Sequence, residues 1–236
     1  MRKLAIITGA SSGIGRETAL LLSENECDLV LAARRERDLK QVARECETAG
    51  AHVTIIVGDL TEDCACATLI QKAKATSKDN YPVLINNAGL AELGSFDQQP
   101  IDVFTQHVNL NYLVGVRLAH AAIPWMLESG GGQIINVLSI GAEHPFSGAA
   151  AYCSTKAAMR MFSKVIAQEY RARGIRVTAL IPGSTDTPLW DNVPVKPETH
   201  DMLRPVAVAE AIRDIVLSPK DRNFDELVLM PPNGIL

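Results

Sequence analysis

The stretch LAIITGASSGIGRETALLLSE (residues 4–24) joins a continuous apolar run to a glycine turn, and the turn to a helical pattern. Apolar residues without alternation fit a strand buried on both faces, as in a parallel sheet. Gly9, Gly13 and Gly15 permit a tight exit from that strand and a close approach of backbone to a ligand. Ser11, Ser12 and Ile14 stand between them. A helix that opens directly after such a turn presents unpaired N–H groups to an anion, here a pyrophosphate. The stretch therefore predicts a strand–turn–helix unit that cradles a dinucleotide.

Working outward, the same alternation repeats to the end of the chain. Further strands are predicted at 28–33, 52–57, 82–85, 133–138, 175–181 and 227–230, after a first at 3–8. Helical patterns fall at 14–24, 37–49, 62–77, 103–128, 150–172 and 207–217. Runs such as LVLAA and VTALI are again continuously apolar. Repeated β–α alternation implies right-handed crossovers and a doubly wound parallel sheet with helices on both faces. Residues 1–236 read as a single domain, with no internal repeat or linker. One long irregular stretch, 183–205, carries four of the twelve prolines and is expected to be a functional flap over a substrate.

Composition narrows the function classes. The 236 residues are 47% apolar and 21% charged, and 23 basic against 27 acidic side chains leave a net charge of −4. This mixed, mildly acidic balance offers no footprint for nucleic acid or an anionic membrane surface. No run reaches the roughly 18 apolar residues of a membrane span. The start, MRKLAIITGA, has too short an apolar run for a signal peptide and is expected to be the first strand of a cytoplasmic protein. Five cysteines, Cys27, Cys46, Cys64, Cys66 and Cys153, show no disulfide spacing, which suits a reducing compartment. Cys64 and Cys66 stand two apart on an expected helix and do not face each other, so no metal site is expected.

In a doubly wound sheet, ligands bind beyond the carboxyl ends of the strands. After the second strand come Ala33, Arg34 and Arg35 in AARRERD, where a carboxylate would bond ribose hydroxyls. Two guanidiniums at a helix N-terminus oppose its dipole, which points to phosphate recognition. After the third strand, Asp59 of GDL either accepts from an adenine amino group or caps the next helix, with Leu60 following. NNAG (Asn86 to Gly89, with Ala88) follows the fourth strand as a turn under a bound ring. Ser139 ends the fifth strand, and thirteen residues later Tyr152 opens the helix that carries Lys156 in AYCSTK. After the sixth strand, PGSTDTP offers the backbone of Pro182, Gly183 and Thr185 and the Thr187 hydroxyl to a carboxamide.

Taken together, TGASSGIG, NNAG, Ser139, YCSTK and PGSTDTP resemble the short-chain dehydrogenase/reductase family over essentially the whole chain and in motif order. Within the family the chain resembles the NADP(H)-dependent carbonyl and 3-oxoacyl reductase-like members. That resemblance implies a seven-stranded Rossmann domain and hydride transfer between NAD(P)(H) and a carbonyl or alcohol. It also implies homodimers or homotetramers built through the helices at 103–128 and 150–172. The six residues after the last strand leave little tail for further subunit contacts.

The spacing of Tyr152 and Lys156 has a physical use. A free tyrosine titrates near 10, and efficient proton exchange with an alkoxide at neutral pH wants it about three units lower, about 4 kcal/mol. An ammonium about 5 Å away supplies roughly 3 kcal/mol of attraction for the phenolate at an effective dielectric near 20. The expectation is therefore a proton donor tuned by its lysine. By resemblance, Ser139 and Tyr152 bind the substrate oxygen, Tyr152 gives the proton, and Lys156 also holds the nicotinamide ribose. The family's fourth residue is an Asn that positions a relay water. Asn111 lies thirteen residues before Pro124, as that Asn does, and Asn109 is the alternative. Val114 departs from the glycine common at its place.

NADP(H) is the expected cofactor, with Arg34 and Ser11 on the 2′-phosphate and Arg35 either sharing that role or facing solvent. The substrate is a small carbonyl compound or alcohol: a 3-oxoacyl thioester, a 3-hydroxy acid, or an unspecialised ketone or aldehyde. Glu143 and His144 border its space, and Trp190 in the flap either covers it or anchors the loop. A non-catalytic dinucleotide sensor on the same fold is the competing class. Such proteins typically lose the tyrosine or the lysine, and this chain has both.

Overall fold

A computed structural model describes residues 2–77, 79–193 and 198–234. Seven strands are found among them: β1 (Lys3–Thr8), β2 (Cys27–Ala33), β3 (Val53–Val57), β4 (Tyr81–Asn86), β5 (Gly132–Val137), β6 (Ile175–Pro182) and β7 (Glu226–Leu229). They form one parallel sheet in the order β3-β2-β1-β4-β5-β6-β7. The order reverses between β1 and β4, and the crevice at that reversal is where a doubly wound sheet takes its ligand.

The continuous apolar strands are explained by what covers them. Alternate residues of β1 go to opposite faces: Ala5 and Ile7 to one core, Leu4 and Ile6 to the other. The first core is closed by α1 (Gly13–Ser23), α2 (Glu36–Thr48) and α7 (Pro205–Leu217). The second is closed by α3 (Ala65–Thr76), α5 (Val114–Glu128) and α6 (Ala150–Tyr170). Fully burying a branched side chain such as Ile6 or Ile7 contributes about 1.5–3 kcal/mol each. The sheet thus places the glycine turn after β1 rigidly beside the ends of β4 and β5.

Two expected helices differ in the structure. α3 begins at Ala65 rather than 62, because Cys64 takes a left-handed φ of 62° at its N-cap. Cys64 is exposed while Cys66 is buried in the core beneath, so the two thiols part company. The pattern at 103–128 is not one α-helix. α4 (Ile101–His107) runs into a π-helical turn, Val108–Leu113, before α5. A π turn widens the helix by one residue without changing its apolar stripe enough to be read from periodicity. Val114 packs in the second core.

Candidate active site

The ends of β1 and β4 are stitched together first. Thr8 Oγ1 accepts from the backbone N–H of Asn87 and of Ala88, both at 3.0 Å. Asn87 Nδ2 donates back to the Thr8 carbonyl at 2.9 Å. The glycine turn packs against this stitch without room for a side chain. Gly9 has φ +66°, and a Cβ on Gly15 would stand 2.4 Å from the Gly9 carbonyl oxygen. α1 then opens with no side-chain cap on Ser12 and no acidic residue in its first turn. Its free N–H groups and positive dipole end therefore face the turn uncompensated.

Above this turn runs a cleft of about 860 Å³. Of the residues expected at the cofactor, Gly9, Ser11, Ser12, Gly13, Ile14, Arg34, Arg35, Asp59, Leu60, Ala88, Gly89, Tyr152, Lys156 and Thr187 line it. Asn109 lines it too, whereas Asn111 lines a separate cavity of about 10 Å³ with Lys156, Thr8 and Asn86. That space is about one water molecule in size. Five residues expected at the cofactor stand back from the cleft. Gly15 lies beneath the turn, and Pro182 and Gly183 are buried at the end of β6. Thr185 is buried too, with its hydroxyl donating to the Gly183 carbonyl at 2.9 Å. Asn86 likewise points into the sheet, donating to Asn136 Oδ1 at 2.8 Å, and Asn136 donates to Ser163 Oγ at 2.8 Å.

Tyr152 and Lys156 line the cleft, and Ser139 stands behind them against Tyr152. Ser139 follows β5, its Oγ accepting from the Gly141 N–H at 3.1 Å. Its side chain also hydrogen-bonds the Tyr152 hydroxyl. One turn along α6, Lys156 is buried, donates to the Val137 carbonyl at 3.0 Å, and lies 5.7 Å from the Tyr152 ring centre. The charge states differ from the tuned pair expected above. Burial pushes the phenol up to about 12, with the Ser139 bond pulling weakly the other way. Burial also pushes the ammonium down to about 8. Desolvation of both groups outweighs their mutual attraction. The pair at neutral pH is a neutral phenol beside a charged amine.

Asn111, in the π turn, holds the loop after β4. Its Oδ1 accepts from the Leu90 N–H at 2.9 Å and its Nδ2 donates to the Leu90 carbonyl at 3.0 Å. Asp59 accepts from the N–H and the hydroxyl of Thr61, which hold its carboxyl below the usual carboxylate range. It therefore forms a turn of its own rather than capping α3. Arg34 reaches 3.7 Å from Asp59. Arg35, not Arg34, stands at Ser11, with Nη2 3.2 Å from its hydroxyl. Both guanidiniums therefore line the same end of the cleft, one beside Asp59 and the other beside Ser11.

On the loop between Ser139 and Tyr152, Glu143 is bound to Arg160, which forks onto Glu226 at 2.6 and 3.0 Å. Glu143 is thereby a tie between the loop and α6. Trp190 Nε1 donates to the Thr185 carbonyl at 2.9 Å, anchoring its loop. The flap's other end is fixed by Leu203, bridged to Thr185, and its residues 194–197 lie outside the described residues. Thr8, Asn87 and the buried His107 were not expected from the sequence. The first residue of TGASSGIG and the second asparagine of NNAG were the signals for Thr8 and Asn87, and His107 had none.

The model of the short chain dehydrogenase family matches residues 3–197. An uncharacterized oxidoreductase of Staphylococcus saprophyticus is 34% identical over 243 residues, 99% of this chain and 98% of its own. The alcohol dehydrogenase of the archaeon Thermococcus sibiricus, complexed with 5-hydroxy-NADP, matches with a TM-score of 0.90 at 28% identity. That match covers 98% of this chain and 97% of the other. A short-chain dehydrogenase from Sphingobium yanoikuyae in complex with NADPH matches with a TM-score of 0.84 at 30% identity, over 96% and 87% of the two chains.

Proposed function

The chain belongs to the short-chain dehydrogenase/reductase family of oxidoreductases, and on that premise we propose that it exchanges hydride between NADP(H) and a carbonyl or secondary alcohol, with Tyr152 as proton donor and acceptor. The observation that carries this function is that Tyr152 and Lys156 line a cleft that begins at the glycine turn, with the Ser139 side chain against the Tyr152 hydroxyl. The cradle left by Gly9 and Gly15 and the uncapped start of α1 fit a pyrophosphate. Arg34, Arg35 and Ser11 would hold the adenosine end, and Lys156 and Thr187 the nicotinamide end. Both solved relatives described above were crystallised with NADP-type cofactors, which supports NADP(H) here.

When bound, the reduced nicotinamide supplies the hydride. Everything else falls to this chain's side chains. The Ser139 hydroxyl orients the substrate oxygen, and the Tyr152 hydroxyl donates to it. As negative charge grows on that oxygen, Tyr152 gives up its proton. The Lys156 ammonium stabilises the phenolate left behind, more strongly in a buried site than in water. Asn111 keeps the cavity beside Lys156 open for a relay water by holding Leu90. Thr187, Leu189 and Asp191 of the flap line the cleft, and their amide exchange should slow when NADP⁺ and substrate are added together. Equal exchange with and without them would remove the flap from the cycle. Met161 and Val165 stand exposed on α6, which supports assembly of two or four copies through this helix and α5.

A panel of ketones, aldehydes, 3-oxoacyl thioesters and hydroxy acids, followed by the absorbance of NADPH, tests the function. No turnover of any of them would overturn it. The charge states add a pH dependence. Reduction needs Tyr152 protonated, which holds up to about 12, and Lys156 protonated, which holds only up to about 8. The rate of reduction should therefore be level at neutral pH and fall as pH rises through about 8. The limb belongs to Lys156. In Lys156→Arg, whose guanidinium stays charged, the remaining turnover should lose that limb. A limb still near 8 in the Arg variant would assign it to another group.

A further inference from the structure

His107 ends α4, is fully buried, and has no part in the chemistry described above. Both of its ring nitrogens are engaged. The Glu92 backbone N–H can only donate, and it does so to Nε2 at 3.3 Å. Nε2 is therefore the bare nitrogen, and Nδ1 carries the proton that it donates to the Val103 carbonyl at 2.8 Å. The ring stands edge to face with Tyr152, centres 6.5 Å apart. Four residues on, Asn111 grips both backbone groups of Leu90. The backbone between His107 and Asn111 is π-helical, and four residues come close to one π turn, so both side chains leave on nearly the same side. Two pins on one helix face thus meet Leu90 and Glu92, and Leu90 and Ala91, held between the pins, line the cleft. Beyond the second pin, the Gly94 N–H bonds the Gly148 carbonyl at 2.9 Å, on the loop that leads into α6.

We infer that His107 is a positioning residue: as the neutral imidazole it fastens the 90–92 wall of the substrate chamber beside Tyr152, and on protonation it releases that wall. The inference rests on the function proposed for Tyr152. The reason is one of donors and acceptors. An imidazolium donates at both nitrogens, so its Nε2–H would face the Glu92 N–H and the contact would be lost. The groups that face the ring are the Glu92 carboxyl on the loop, which favours the charged form, and Lys156 on α6, which opposes it. Tyr152, also on α6, is neutral at these pH values. Burial is the largest influence and holds His107 below its ordinary value, so the pin is in place at neutral pH and opens only in acid.

His107→Gln and His107→Phe separate the possibilities. Glutamine can offer an amide N–H to Val103 and an amide oxygen to Glu92, and it does not titrate. The backbone amide signal of Glu92, followed by NMR without substrate, should move with pH in the wild type, with a midpoint below the ordinary histidine range. In His107→Gln it should stay still. The wild-type KM for the carbonyl substrate should rise about fivefold through the same midpoint, the effect of one neutral hydrogen bond. His107→Gln should keep a level KM, and His107→Phe should show the raised KM at every pH. A wild-type Glu92 amide that ignores pH, or an acid rise in KM that persists in His107→Gln, would overturn the inference. Should the Phe variant not fold, the Gln variant and the amide carry the test. A protein without carbonyl turnover would refute the proposed function, while the Glu92 amide would still report on His107.

Discussion

Tyr152→Phe is expected to lower kcat for carbonyl reduction by about 10²–10⁴-fold, the span of a general acid removed from its site. Affinity for NADP(H) should be nearly unchanged, because phenylalanine keeps the ring that packs against His107 and loses only the hydroxyl. Lys156→Ala should damage both properties. It removes the charge that stabilises the phenolate and the group proposed to hold the cofactor ribose. It also leaves the Val137 carbonyl without its donor, which costs about 1–3 kcal/mol if no water replaces it. Kinetics with both variants, together with cofactor titration by fluorescence, separate the two roles. Near-normal turnover by the Phe variant would sink the assignment of Tyr152.

The buried pair also shows where sequence reasoning stops. That Tyr152 and Lys156 share a helix face follows from a spacing of four. What surrounds them does not, and the surroundings decide the charge states. The attraction reckoned from spacing would lower the phenol, yet enclosure raises it to about 12 and lowers the amine to about 8. The fold was legible for a related reason. Continuous apolar strands require cover on both faces, and only helices between parallel strands supply it, so the alternation of β1 through β7 follows from local patterns. The π turn at Val108–Leu113 escaped because one added residue scarcely disturbs an apolar stripe. Thr185 stands back from the cleft with its hydroxyl turned onto the Gly183 carbonyl, while Asp59 lines the cleft but has one carboxylate oxygen taken by Thr61. A polar residue after a strand is equally well placed to serve the loop or a ligand, and only coordinates tell which.

The same ambiguity makes the cofactor the sharper test of this site. NADP(H) and NAD(H) differ only at the adenosine 2′ position, phosphate against hydroxyl. A carboxylate at the end of β2 would accept from the hydroxyl and repel the phosphate, and Ala33 does neither. Arg34 and Arg35 follow, one 3.7 Å from Asp59 and the other 3.2 Å from Ser11 Oγ. Both are exposed and paired only with surface carboxylates, Arg34 with Asp59 and Arg35 with Asp38 at 3.2 Å, weak pairs that a phosphate can replace. Each planar fork can bond phosphate oxygens, and Arg34 can also stack on a base. A charge-assisted contact of this kind contributes roughly 1.5–3 kcal/mol, about ten- to a hundredfold in affinity. The wild type should therefore prefer NADPH over NADH in kcat/KM by about that factor. Ala33→Asp/Arg34→Ala should shrink or invert the ratio, since it removes one cation and adds a carboxylate where the phosphate would lie. Arg35→Ala, made separately, should reduce the ratio without inverting it, because Ser11 and Arg34 remain. If the wild type uses NADH as well as NADPH, or the double variant leaves the ratio where it was, the arginines face only solvent and the phosphate assignment is wrong.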